Sequence, residues 1–139
     1  MTGIISYGAY IPLMRLPLSV IAGKAPKDGG PEKAVAWMDE DSVTLGVAAA
    51  QNCLQGFDRS RVDAVIFATT TYAFAEKQAA AIIAKALNLK GDVRTADIAH
   101  STRAGTIALQ SAIDAVKAGS ASRVLVIAAD CRMGAPGSG

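Results

Sequence analysis

The sequence predicts an α/β fold, a largely parallel sheet with helices packed on its faces. Three observations carry this. Apolar, β-branched runs at residues 62–69 and 123–129 alternate with longer helical patterns at 76–87 and 102–118, and such alternation is the mark of a parallel sheet. Apolar residues make up 51 % of the 139 and aromatic residues only 5 %, so the core must be built from Ala, Val, Ile and Leu. The helix over 102–118 has its polar residues almost confined to Gln110, Asp114 and Lys117, one narrow stripe at helical spacing, which predicts burial of the rest. A chain of this length supports one domain, residues 1–139.

Taken in order, residues 3–11 alternate loosely and end at Pro12, which reads as a first strand. Residues 15–32 form a connection rich in Gly, Pro and Lys, with a short helical turn near 18–22. Asp39, Glu40 and Asp41 put acid at a helix start, with Asp39 or Asp41 as cap, and Gly56 follows that helix after its expected end near Leu54. A mostly buried strand covers 62–69, and a hydroxyl-rich loop of Thr70, Thr71 and Tyr72 leads to the helix over 76–87. The strand from Val93 to Ala99 is polar for an interior one. Ala104, Ala108 and Ala112 make a small-residue row on the next helix, which lets a neighbour approach closely. The strand over 123–129 is β-branched, and 134–139 is a glycine-rich loop. The helices at 76–87 and 102–118 are too apolar for an open surface, so the expectation is half of a larger fold.

Several function classes are excluded. Net charge is +2 with Lys and Arg scattered, which gives no electrostatic footprint for nucleic acid. No apolar run approaches the roughly 20 residues that span a bilayer. The start, Met1-Thr2-Gly3-Ile4, lacks the pattern of a secretory signal. Cys53 and Cys131 form no CxxC pair and read as free thiols of a cytoplasmic protein. One histidine and two distant cysteines make no zinc site. Gly3-Ile4-Ile5-Ser6-Tyr7-Gly8 lacks the glycines of a dinucleotide fingerprint.

The stretch Asp97-Ile98-Ala99-His100-Ser101-Thr102-Arg103-Ala104-Gly105-Thr106 runs from a strand through a sharp elbow into an apolar helix. Free N–H groups and the helix dipole stabilise negative charge at such a start. Thr102 is the residue placed for a nucleophile, but an aliphatic hydroxyl needs a partner base. Two readings stand: Ser101 or Thr102 attacks with His100 as base, or one of them caps the helix. Thr69, Thr70 and Thr71 gather at a strand's C-terminal end, where open α/β sheets bind ligands. They read either as donors to a thioester carbonyl or as turn residues. Tyr72 and Phe74 line an acyl pocket or pack as loop residues. Arg103 pairs with a phosphate or carboxylate, or with a surface acid. Arg15, Lys24 and Lys27 are either phosphate contacts or solvated charges.

Glu32-Lys33-Ala34-Val35-Ala36 with Asp39-Glu40-Asp41-Ser42-Val43-Thr44, then Ala104-Gly105-Thr106-Ile107-Ala108-Leu109-Gln110, then Asp130-Cys131-Arg132-Met133-Gly134-Ala135-Pro136-Gly137-Ser138 together resemble the N-terminal half of the thiolase superfamily. The likeness runs from Gly3 to the end and is nearest to hydroxymethylglutaryl-CoA synthase-like and ketoacyl-ACP synthase III-like proteins. It implies an αβαβα sandwich of two similar halves, mostly parallel in its sheets, with buried helices. It also implies a cysteine at the elbow that carries an acyl group from CoA, and a glutamate in the loop after the second strand. Matched residue by residue, these positions fall on Thr102 and Thr70. The family's histidine and its asparagine or second histidine belong to the C-terminal half.

The resemblance therefore implies an acyltransferase or lyase acting on acyl-CoA. It makes or breaks a carbon–carbon bond beside a thioester, and without the cysteine it follows a direct, aldolase-like route. The coenzyme A thioester is substrate; no cofactor is expected. The other reading is a non-catalytic acyl-CoA-binding or scaffolding subunit working with a C-terminal half or an OB-fold partner. The family also implies a homodimer paired through the strand from Val93 to Ala99, although an edge strand has the same polar look.

Overall fold

A computed structural model describes residues 2–134. The expected loop at 134–139 therefore lies outside the described residues except for Gly134. The core is a three-stranded parallel sheet in the order β4-β3-β5. β3 covers Ala64–Thr69, β4 Arg94–Ala99 and β5 Val124–Ala128. Every residue of the central β3 is buried. Val65 and Phe67 point into a cluster with Val43, Ala50 and Leu54 of the chain around α2 (Ser42–Cys53) and Ala79, Ala80 and Ile83 of α3 (Ala79–Ala86). Ile66 and Ala68 point the other way, against Ala104, Ala108 and Ala112 of α4 (Ala104–Lys117). Two helices on one face and one on the other give the three layers that alternation predicts.

The alanine row does what its spacing predicts. Ala108 is fully buried, and with Ala104 and Ala112 it sets α4 against Ile66 and Ala68 of the sheet. The rest of α4 differs from expectation: only those three alanines are buried, while Ile107 and Leu109 are 45 % and 41 % exposed.

Asp41 is the cap of α2. Its carboxylate accepts from the Val43 and Thr44 N–H groups at 2.9 and 2.8 Å, and Thr44 Oγ1 accepts from the Asp41 N–H at 2.7 Å. This reciprocal box is worth about 1 kcal/mol. α2 ends at Cys53, and Gly56 takes φ +75° in the following turn. Gly46 faces Phe67 and Ile127 so closely that a Cβ there would sit 3.2 and 3.1 Å from them.

Three expectations are corrected. Residues 3–11 are not a strand. They run along α2 without a ladder, held by Ser6 Oγ donating to the Cys53 carbonyl (2.7 Å) and Asn52 Nδ2 donating to the Ala9 carbonyl (2.8 Å). Alternating sequence makes a strand only where another backbone offers hydrogen bonds, and none of the described residues does so here. The long connection contains a hairpin instead: β1 (Met14–Pro17) pairs antiparallel with β2 (Glu32–Val35), with the short expected helix α1 (Leu18–Ile21) between them. Finally, α3 and α4 start later than the periodicity suggests, at Ala79 rather than Glu76 and at Ala104 rather than Thr102.

At the sheet's far end, Asp63 accepts from the Ser122 and Arg123 N–H groups at 2.7 and 2.9 Å and from Lys90 at 3.4 Å. Those backbone bonds, with the lysine, hold its carboxyl below the usual carboxylate range despite partial burial. Among the described residues no helix is long and apolar enough to cross a membrane. Cys53 and Cys131 are free thiols.

Candidate functional site

Register sets the site. β3 pairs Thr69 with Ala99 of β4 and Ala68 with Ala128 of β5, so three C-terminal strand ends finish level with one another. Ligands bind at such ends because the following loops splay apart there. A cleft of about 240 Å³ opens at this edge. Thr69, Thr70, Ser101, Thr102 and Asp130 supply its polar wall, and Ala68, Ala104, Gly105, Ala128 and Ala129 the rest.

Four residues singled out in the sequence thus come together: Thr69, Thr70, Ser101 and Thr102. Thr102 is exposed and stands two residues ahead of α4. A turn separates it from the helix, in which the Ala104 N–H donates to the Ser101 carbonyl at 3.0 Å. Ser101 Oγ accepts from the Arg103 N–H at 3.2 Å, and Arg103, the capping residue of α4, offers no side-chain cap. Neither hydroxyl therefore caps α4 in the expected way.

His100 takes φ +63°, a left-handed conformation that non-glycine residues rarely adopt, and its N–H donates to the Thr69 carbonyl at 3.2 Å. It bends the elbow. Its ring lies 6.0 Å from that of Tyr72, tilted by 55°, and it is not among the residues lining the cleft. Arg103 lies over a separate depression on α4 with Thr106, Ile107, Gln110 and Ser111.

Thr71 and Tyr72 serve the walls rather than the cleft. Thr71 Oγ1 accepts from the Cys131 N–H at 2.8 Å, and buried Ser42 donates to the Thr71 carbonyl at 2.8 Å. The Tyr72 hydroxyl donates to the Asp97 carboxylate, and burial followed by that bond raises its pKa. Asp97 also accepts from the Ala79 and Ala80 N–H groups, each at 2.8 Å. A carboxylate on β4 thereby caps α3, whose own Gln78 does not. This fits the start of α3 at Ala79 and gives one polar residue of β4, Asp97, its role.

Asp130 is a site residue that stands out in the sequence only as the start of the Asp130–Ser138 motif. Its Oδ1 accepts from Thr69 Oγ1 at 3.0 Å and from the Thr70 N–H at 2.6 Å. Burial pushes its pKa up, but hydrogen bonds from Thr70 and Thr69 and the charge of Arg132 outweigh this and hold it below the usual carboxylate range. The signal was its place: a lone acid directly after β5, level with Thr69 after β3.

A parallel, three-layer α/β unit, with one cleft at an elbow and two neighbouring strand ends, defines the N-terminal part of a thiolase-like fold. No protein-family model matches the chain. It is 39 % identical to the hydroxymethylglutaryl-CoA synthase of Pyrococcus furiosus over 97 % of its own length, and 36 % identical to that of Methanocaldococcus jannaschii over 99 %. Among solved structures it superposes on 3-oxoacyl-[acyl-carrier-protein] synthase III of Aquifex aeolicus with TM-score 0.80 and 26 % identity, covering 92 % of this chain and 44 % of that one. MvaS in complex with 3-hydroxy-3-methylglutaryl coenzyme A matches with TM-score 0.78 and 28 % identity, over 91 % and 33 % respectively. The chain belongs to the thiolase superfamily, as the counterpart of the N-terminal part of its hydroxymethylglutaryl-CoA synthase-like and ketoacyl synthase III-like members. It spans 40 % and 43 % of the length of the two archaeal synthases.

Proposed function

We propose that this chain is the N-terminal part of a thiolase-like protein that makes or breaks a carbon–carbon bond beside an acyl-CoA thioester without forming an acyl-enzyme. The support is the lining of the cleft: four hydroxyls (Thr69, Thr70, Ser101, Thr102) and one carboxylate (Asp130), with neither thiol nor imidazole among the lining residues. In this reading Thr102 takes the position of the family's cysteine and Thr70 that of its glutamate, as the resemblance implies. A helix start can bring a thiol to a reactive pKa, whereas a hydroxyl needs a dedicated base. The direct route does not need the nucleophile. A base takes the proton from a β-hydroxyl, the adjacent carbon–carbon bond breaks, and the carbonyl product leaves a thioester enolate that is then protonated. In this reading the base comes from a C-terminal half, the exposed apolar side of α4 is covered by that half, and two copies pair along the free edge of β4. On the same reading the protein is cytoplasmic, which is in keeping with its free thiols.

The test is mass spectrometry of the intact protein after incubation with acetyl-CoA, followed by turnover of a β-hydroxyacyl-CoA. The expected result is no acyl adduct on Ser101 or Thr102, together with release of a carbonyl product. An adduct on either hydroxyl overturns the direct route. Tight acyl-CoA binding with no turnover favours the second reading, a scaffolding subunit of a complex with an OB-fold partner, which the replaced Thr70 and Thr102 also support.

A further inference from the structure

We propose that Asp130 is a positioning residue that clamps the end of β3 so that the Thr70 hydroxyl is left to bind an oxygen of the acyl thioester; this rests on the acyl-CoA reading above. The three threonines at this strand end differ in what they have to spare. Thr69 Oγ1 donates to Asp130 at 3.0 Å and accepts from the Thr71 N–H at 3.0 Å. Thr71 Oγ1 accepts from the Cys131 N–H at 2.8 Å. The Thr70 hydroxyl is buried and meets no partner at good hydrogen-bonding geometry among the described residues; it stands beside the Asp130 carboxylate, which its own N–H engages at 2.6 Å.

A buried polar group without a partner is costly, and such groups call for an explanation in terms of a ligand or function. Thr70 forms part of the cleft wall beside Ser101, Thr102 and Asp130. A step of about 120° in χ1 to another staggered rotamer re-aims the hydroxyl, which would offer a donor to a neutral oxygen in the cleft: the thioester carbonyl or a β-hydroxyl. Asp130 makes this possible by occupying the two groups that would otherwise compete, the Thr69 hydroxyl and the Thr70 N–H. Its carboxylate oxygen accepts both bonds at once, and an amide oxygen has the same capacity.

The experiment compares equilibrium binding of acetyl-CoA and of coenzyme A, which lacks the acyl oxygen, to the intact protein and four variants. Thr70→Val should weaken acetyl-CoA about tenfold and leave coenzyme A unchanged, while Thr70→Ser keeps both. Asp130→Ala should reproduce the loss seen with Thr70→Val, and Asp130→Asn should stay within about threefold of the wild type. A role confined to holding the fold would weaken both ligands together. Should Asp130→Ala fail to fold, the Thr70→Val and Asp130→Asn pair decides. Both ligands binding with an unchanged ratio in Thr70→Val, or Asp130→Asn losing as much as Thr70→Val, overturns the clamp alone. Failure of the wild type to bind either ligand overturns the acyl-CoA reading and the clamp with it.

Discussion

Asp97 sits on one element and completes another. It belongs to β4, yet its carboxylate takes the first free N–H groups of α3 at 2.8 Å and receives the Tyr72 hydroxyl. Asp97→Ala should therefore lower stability by about 1–2 kcal/mol, as for loss of a helix cap, measured by urea denaturation. Thr102→Cys probes the elbow directly. If the cleft retains the family's geometry, that single change should allow acetyl-CoA to leave an acyl group on residue 102, visible by mass spectrometry of the intact protein. Asp63 gives a pH signature. Its folded-state pKa lies below the unfolded value, so its contribution is present above the unfolded carboxyl range and is lost as pH falls through the folded value. Asp63→Asn should flatten that acid limb of a stability–pH profile. Of these residues, the Asp41 cap was readable because its spacing is local. Asp97 and Asp130 were not, because their partners lie 18 and 60 residues away in sequence.

Among the elements, α4 makes the sharpest claim. Its contact with β3 sets buried alanines against Ile66 and Ala68, so there is no room for a longer side chain. Ala108→Leu should destabilise the protein by about 1–3 kcal/mol through overpacking, read as a lower denaturation midpoint. Ala104, Ala108 and Ala112 announced this contact through spacing alone, and β3 was legible as an unbroken apolar run. The start of α4 was not, since helical periodicity runs on through Thr102 and Arg103 while the turn closed on Ser101 keeps both outside. The left-handed backbone of His100 leaves no mark in composition either. Residues 3–11 show the converse error. Their alternation is real, but a strand is defined by its neighbour, and Ile4 and Tyr7 stand 76 % and 89 % exposed without one.

The whole molecule has more surface than its mass warrants. It exposes 9185 Å², against about 6,800 Å² for a compact monomer of this size. Ile4, Ile5, Tyr7, Ile107 and Leu109 contribute to the difference. The 139-residue chain on its own should bind a hydrophobic dye and self-associate in sedimentation, and a covering partner should suppress both. The α/β class and the cleft's hydroxyls were legible from periodicity and from the strand-end rule. The exposed flank of α4 was foreseen only as a helix too apolar for its surroundings.

The Tyr72 side chain stands between the two helix starts that frame the strand ends, its hydroxyl on the Asp97 anchor of α3 and its ring against His100 before α4. Both helix heads lean on a single aromatic spacer. A ligand that displaces the elbow should therefore also be felt at the front of α3.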